Sequence, residues 1–269
     1  MEKLLDEIES YWSTRTEGYS EVNHKELAGT QKNAWLKVLT SQFPDKPKEE
    51  IRILDIGTGP GFFPVILAEA GYHVDAVDYT EGMLEKAKEN AGELCRNIHF
   101  QRMDAQKLEF EDNTFDVVIS RNLTWNLEHP DVAYREWVRV LKAGGKLLNF
   151  DANWYGYLYE EEQRKAYEND RKNVENNSLD DHYLCTDIER MERIALQVPL
   201  SKIRRPEWDV KTLREAGLLG IHTDTEIWKT VWSEEERLNY QSTPMFMVTG
   251  VKPDHFLNLP VAVGEKTEG

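Results

Sequence analysis

The apolar run Ile51-Arg52-Ile53-Leu54-Asp55-Ile56 passes directly into Gly57-Thr58-Gly59-Pro60-Gly61. A β-branched, apolar run bounded this way reads as a buried strand. Three glycines in the next five residues let the backbone turn tightly and approach a ligand without Cβ obstruction. Phe62 to Ala70 is apolar and helix-compatible. Strand, glycine turn and helix in this order form the geometry that cradles a nucleotide at a helix N-terminus. Read alone, the segment also fits a plain strand–helix turn with incidental glycines.

Spacing narrows the ligand. A dinucleotide fingerprint places its third glycine where Phe62 stands, and here Gly61 comes one residue early, which disfavours a nicotinamide oxidoreductase. No Lys follows the turn as in a P-loop, which disfavours a triphosphate. A second strand, His73 to Val77, ends in Asp78, 21 residues after Gly57. A carboxylate at that strand end is placed to accept hydrogen bonds from both hydroxyls of a ribose.

The alternation continues. Strands are predicted at 51–56, 73–77, 97–102, 115–120 and 146–151, with helices at 60–70, 80–91 and 130–141. Alternating strands and helices imply a doubly wound parallel sheet whose ligand binds at the carboxyl ends of its strands.

Along this frame the chain resembles a known family. Leu54-Asp55-Ile56-Gly57-Thr58-Gly59-Pro60-Gly61 is similar to motif I of class I S-adenosylmethionine-dependent methyltransferases. Val77-Asp78 matches the acidic end of strand 2, and Met103-Asp104-Ala105 the Asp-Ala pair that contacts adenine. The stretch Leu108 to Val118 resembles the approach to strand 4. Arg139-Val140-Leu141-Lys142-Ala143-Gly144-Gly145 resembles the turn before strand 5, with Ala143 in place of the usual proline. The nearest subgroup is the ubiquinone/menaquinone-methyltransferase-like (type 11) small-molecule enzymes. The resemblance is strong over residues 50–150 and weak over 206–252.

What it implies is a Rossmann-like, seven-stranded, mostly parallel sheet with the seventh strand antiparallel between the fifth and sixth. S-adenosylmethionine would be the cofactor. Asp55 would stand indirectly near its methionine amino group. Gly57, Thr58, Gly59 and Gly61 would give the close backbone. Asp78 would hold the ribose beside Tyr79 and Met83. Asp104 would accept from the adenine amine and Ala105 would donate its N–H, although Asp104 also fits a turn-forming role. Arg121 and Asn122 would face the methionine end, with Tyr19 from the N-terminal helices.

Outside the central region, residues 1–48 read as two aromatic, amphipathic helices forming a lid, and Asp45 to Glu50 as a solvated linker. Residues 49–150 form the cofactor-binding core. Residues 151–205 read as a helical cap insertion. It is crowded by Trp154, Tyr155, Tyr157 and Tyr159, continues through a polar helix from Glu160 to Asn177, and has a capping box at Thr186-Asp187-Ile188-Glu189. Residues 206–252 return to α/β, with Asp209 capping a helix that stops at Gly217 and strands near 221–229 and 245–251. Residues 253–269 form a frayed tail.

The formal net charge of −16 argues against a nucleic-acid substrate, because phosphate binding needs a basic face. The two cysteines, Cys95 and Cys185, stand far apart in no metal spacing, which suits a reducing cytoplasm. No signal peptide and no membrane span are visible. No metal motif is present. Methyl transfer from a sulfonium needs chiefly placement in line, so no obligatory triad is expected. Candidate acceptor bases, by position only, are Tyr19, His24, His129, Asp151 and His182. Trp125 is placed to wall an acceptor pocket. The aromatic cap could cage an amine by cation–π attraction, stack a planar ring, or pack the lid. The reading is a methyltransferase with a small-molecule acceptor of unspecified identity and an oligomeric state left open. The alternative is a non-catalytic S-adenosylmethionine sensor.

Overall fold

A computed structural model describes residues 4–182 and 186–254. Met1, Cys185 and the predicted tail from residue 255 onward lie outside the described residues. Two helices, α1 (Leu4–Ala28) and α2 (Gln31–Thr40), lead into the alternating region. This runs β1 (Arg52–Ile56), α3 (Phe62–Glu69), β2 (His73–Asp78), α4 (Glu81–Ala91), β3 (Ile98–Arg102), β4 (Phe115–Arg121), α5 (Pro130–Val140) and β5 (Leu141–Asp151). Helices α6 (Glu161–Asn176), α7 (Ile188–Ala195) and α8 (Glu207–Glu215) follow. The chain then forms β6 (Leu219–Asp224), α9 (Trp228–Val231), α10 (Glu234–Asn239) and β7 (Phe246–Val251).

The seven strands lie in the order β3-β2-β1-β4-β5-β7-β6. The first five run parallel, and β7 is antiparallel to both β5 and β6. From β1 the strand order proceeds one way through β2 and β3 and the other way through β4. The loops leaving β1 and β4 therefore diverge and open a crevice at their carboxyl ends.

Consecutive strand residues explain the unbroken apolar runs. Ile53, Val117, Leu148 and Met247 pack under α2 and α3 with Trp35, Phe63 and Phe150. Their neighbours Leu54, Val118, Leu147 and Phe246 pack on the opposite face with Tyr134, Trp137 and Leu213. The central strands β1, β4, β5 and β7 are covered on both faces, so their side chains of either parity are mostly apolar, whereas the edge strands β3 and β6 are partly exposed. A third cluster lies above the strand ends and joins Ile8 and Tyr11 of α1 to Trp125, Tyr155, Tyr157, Met191 and Ile194. Among the described residues, no helix is long and apolar enough to cross a membrane.

Four local expectations are corrected. The sixth strand stops at Asp224 and does not reach 229, because Asp224 Oδ1 accepts from Glu226 N at 2.8 Å and turns the chain. Ile227 and Val231, both buried, then fall one helical turn apart on the approach to and within α9. Asp187, not Thr186, caps α7, accepting from Arg190 N at 3.1 Å. Asp209 is not a cap: it lies inside α8, fully buried and paired to Arg205 at 2.6 and 2.8 Å. Finally, β5 begins at Leu141, five residues before the predicted start.

Candidate active site

The glycine turn works differently from a phosphate cradle. Gly57 N and Thr58 N donate to Val77 O at 2.8 and 3.0 Å, and Gly61 N donates to Thr58 O at 3.0 Å. Gly59 N donates to Asp78 Oδ2 at 2.8 Å. Pro60 has no N–H. Every amide of the turn is thus satisfied internally, and what faces a ligand is bare, closely approachable backbone. That suits a cofactor with no phosphate. Gly57 (φ 69°) and Gly61 (φ 89°) sit in the left-handed region. A Cβ on Gly57 would lie 2.7 Å from Leu123 Cδ2, and one on Gly61 would lie 2.9 Å from the Cβ of Ala87 on α4. These two glycines pack the turn on its own protein neighbours.

Around the turn a cavity opens at the carboxyl ends of β1 to β4. Its wall brings together Gly57 and Gly59, Asp78, Tyr79 and Met83, Asp104 and Ala105, and Arg121 and Asn122. Tyr19 enters from α1, with Leu5, Ile8 and Trp12 of the same helix. Asp55, Thr58 and Gly61 do not line it. Asp55 is buried behind the turn, and burial pushes its carboxyl up to about 7, against the pull of the Thr58 hydroxyl and Arg121.

The residues fit S-adenosylmethionine. Asp78 uses one position on each oxygen, for Gly59 N and for Thr80 N at 2.9 Å. A carboxylate offers about four acceptor positions, so roughly two remain for ribose hydroxyls. Asp104 Oδ1 is engaged by Gln106 N at 2.8 Å, the turn-forming role. Asp104 and Ala105 still line the cavity. The buried Asn126 Oδ1, also on this wall, has no protein partner.

A second cavity adjoins the first and is the roomier, about 750 Å³ against about 110 Å³. Trp12, Tyr19, Arg121 and Asn122 line both. Arg121 is fixed there by a two-pronged ion pair to Glu26 of α1, at 2.8 and 3.1 Å. Its guanidinium also stacks 4.7 Å from the centre of Phe62 and 5.1 Å from that of Phe63. Asn122 holds a left-handed φ of 56°, the conformation Asn tolerates best after Gly. Tyr19 is pushed up by burial, with Arg121 pulling it back.

The expected bases separate by position. Tyr19 and His182 line the second cavity. His182 is engaged through Nδ1 with Tyr240 Oη and through Nε2 with Glu235, both at 2.9 Å. His24 and His129 are exposed and line neither cavity. Asp151 lines neither cavity. It is fully buried and bonded to Arg205 Nη1 at 2.6 Å. It also accepts from Trp125 N at 2.9 Å and Trp154 Nε1 at 3.1 Å. Asp151 therefore anchors two tryptophans of the second cavity's wall.

Several wall residues escaped the sequence reading: Glu26, Gln31, Asn23, and the Trp232–Tyr240 segment. For α1 a signal existed, since Tyr11, Arg15, Tyr19 and Glu26 repeat at helical spacing and all line the second cavity. For residues 232–240 no local pattern marks a wall.

Comparison with known proteins agrees with this geometry. Residues 54–149 match the family model described as a methyltransferase domain. An uncharacterised protein of Haemophilus influenzae is 36% identical over 126 residues, covering 44% of this chain and 50% of that protein. A demethylmenaquinone methyltransferase of Renibacterium salmoninarum is 31% identical over 148 residues, covering 55% and 60%. The chain spans about half the length of the curated relatives it matches. Phosphoethanolamine N-methyltransferase 2 of Haemonchus contortus, solved with S-adenosyl-L-methionine, superposes with a TM-score of 0.60 at 20% identity. That match covers 82% of this chain and 52% of the other, and it shows the shared fold. Over the matched span, 54–149, the chain resembles the class I, S-adenosylmethionine-dependent methyltransferases of the type 11 kind.

Proposed function

We propose that this protein transfers the methyl group of S-adenosylmethionine to a small-molecule acceptor, chiefly by holding donor and acceptor in line. The observation that carries this reading is the pair of adjoining cavities with a common wall of Trp12, Tyr19, Arg121 and Asn122. One cavity has the strand-end residues that suit the cofactor, and the other has room for an acceptor. When bound, the cofactor supplies an electrophilic methyl whose leaving group is a neutral thioether.

The chain's residues place it. Asp78 takes the ribose hydroxyls on its remaining acceptor positions. Ala105 N–H and Asp104 meet the adenine, with Tyr79 and Met83 beside it. Gly57 and Gly59 bring backbone close to the methionine portion. Asp55, Thr58 and Gly61 act behind the turn, Asp55 as a buried acid and the other two through turn geometry. Tyr19, Arg121 and Asn122 border the point of transfer. Holding two reactants in line at about 3–3.5 Å supplies much of the acceleration of such a reaction. Helix α1 serves as lid and residues 151–205 as cap, both excluding water. A small acceptor is favoured over nucleic acid by the charge of −16, and the cysteine usage suits a cytoplasmic setting.

Calorimetry with S-adenosylhomocysteine and with a nicotinamide dinucleotide tests the cofactor. The first binds and the second does not. Asp78→Ala removes an acceptor of charge-assisted bonds worth about 1.5–3 kcal/mol each, so affinity falls at least tenfold with the fold retained. Unchanged affinity in Asp78→Ala would detach β2 from the cofactor. Binding without S-adenosylhomocysteine release in any metabolite extract would favour the sensor.

A further inference from the structure

The larger cavity presents hydrogen-bond acceptors that the protein leaves unused. Resting on the methyltransferase reading above, we propose that its occupant is a cationic amine, which the chain methylates on nitrogen. Carboxylates outnumber fixed cations on its wall six to three. Glu26 is spent on Arg121, Asp181 on Arg171 and Glu235 on His182. Glu236 is different. Its Oε2 takes Gln31 Nε2 at 2.6 Å, Ser233 N at 2.7 Å and Ser233 Oγ at 2.9 Å. Its Oε1 has no hydrogen bond among the described residues. Asn23, 1% exposed and on the same wall, likewise has an Oδ1 without a partner.

These acceptors need donors. Arg121 cannot supply them, because both of its terminal nitrogens hold Glu26. An anionic acceptor molecule reaches Arg121 only by displacing Glu26, and Lys25 on the same wall is solvent-exposed, whereas an ammonium meets Glu236 Oε1 and Asn23 Oδ1 directly. Aromatic faces complete the environment. Trp232 and Tyr240 flank the helix that bears Glu236, with ring centres 5.6 Å apart, and Trp154 meets Tyr240 edge-on at 5.2 Å. All three line the cavity, and such rings attract cations at their faces. Burial, and then the Glu26 charge, push the Glu236 carboxyl up from its ordinary value. A neighbouring cation relieves that penalty.

The step balances as follows. The ammonium gives one proton to Glu236 Oε1. The freed nitrogen lone pair forms the C–N bond to the methyl carbon as the C–S bond breaks, and the electron pair of that bond stays on sulfur. The product is a methylated ammonium, and one proton per turnover passes from Glu236 to water.

The test is calorimetry on the full chain saturated with S-adenosylhomocysteine, titrated with benzylammonium, benzyl alcohol and benzoate. The cation binds at least tenfold more tightly than either control. Glu236→Gln, which keeps the capping geometry at the start of α10, loses at least tenfold for the cation while S-adenosylhomocysteine affinity is unchanged. Equal binding of the three probes to the wild type overturns the proposal without reference to any variant. So does cation binding that Glu236→Gln leaves intact. A chain that binds S-adenosylhomocysteine but not the cation fails only here. One that binds no S-adenosylhomocysteine fails at the methyltransferase reading itself.

Discussion

Asp55 and Asp151 both end up buried, but with different consequences. Asp55 has no cation bonded to it, and its carboxyl is pushed up to about 7 from an ordinary 3.8. Between those values the folded state holds a proton that the unfolded chain has released. Stability therefore falls as pH rises through that window, by up to about 4 kcal/mol once above it. Below pH 3.8 both states are protonated and the contribution vanishes. Asp55→Asn should match the wild type in denaturant midpoint near pH 4 and exceed it near pH 8. An unchanged difference across that range would place the burial cost elsewhere. Asp151 instead shares Arg205 with Asp209, in a network that extends through Tyr134 and Asn149 to Thr124. Arg205→Met strands two buried carboxylates, and removing one partner of such a group costs about 3–5 kcal/mol. Urea unfolding should show that loss, and a change under about 1 kcal/mol would mean that water reaches the network. Asp78 was legible in the sequence because a strand end fixes its place. Asp151 was not, because Arg205 lies 54 residues away, whereas Asp209 stands four residues after Arg205, a spacing that could have been read.

Helix α1 contributes to both cavities and is tied down at several points along its length. Glu26 holds Arg121 at the end of β4. Thr16 lies against Gly82 of α4, where an added Cβ would come within 3.2 Å of its Oγ1. Between these points Tyr19 reaches the common wall. If α1 is the lid, S-adenosylhomocysteine should slow amide exchange along Leu4–Ala28 as well as in the strand-end loops. Protection confined to the loops would make α1 a support with no part in closure. The helical character of α1 was legible from its spacing. Its attachment was not, since the Glu26–Arg121 pair spans 95 residues. The misplaced end of β6 has a local cause that could have been read, since Asp224 two residues before Glu226 is an Asx-turn signal.

At the scale of the molecule, the sheet was legible because parallel strands covered on both faces must be apolar throughout. The glycine turn then fixed which edge carries the ligand. The larger cavity was not legible. Its wall is assembled from α1, the loop after β4, the start of the cap and the segment around α10, and contacts such as Gln31 with Glu236 bridge 205 residues. Periodicity reports which face of an element is buried, not which distant element covers it. The proposed function makes a definite demand of the two cavities that meet at Tyr19, Arg121 and Asn122: a methyl group leaving the first should arrive on a small molecule in the second. The direct measurement incubates the protein with methyl-labelled S-adenosylmethionine and a metabolite extract, then follows the label through small-molecule, protein and nucleic-acid fractions. Label in a small molecule, in step with S-adenosylhomocysteine, is the predicted result. Label in protein or nucleic acid, or bound cofactor with no labelled product in any fraction, would contradict it.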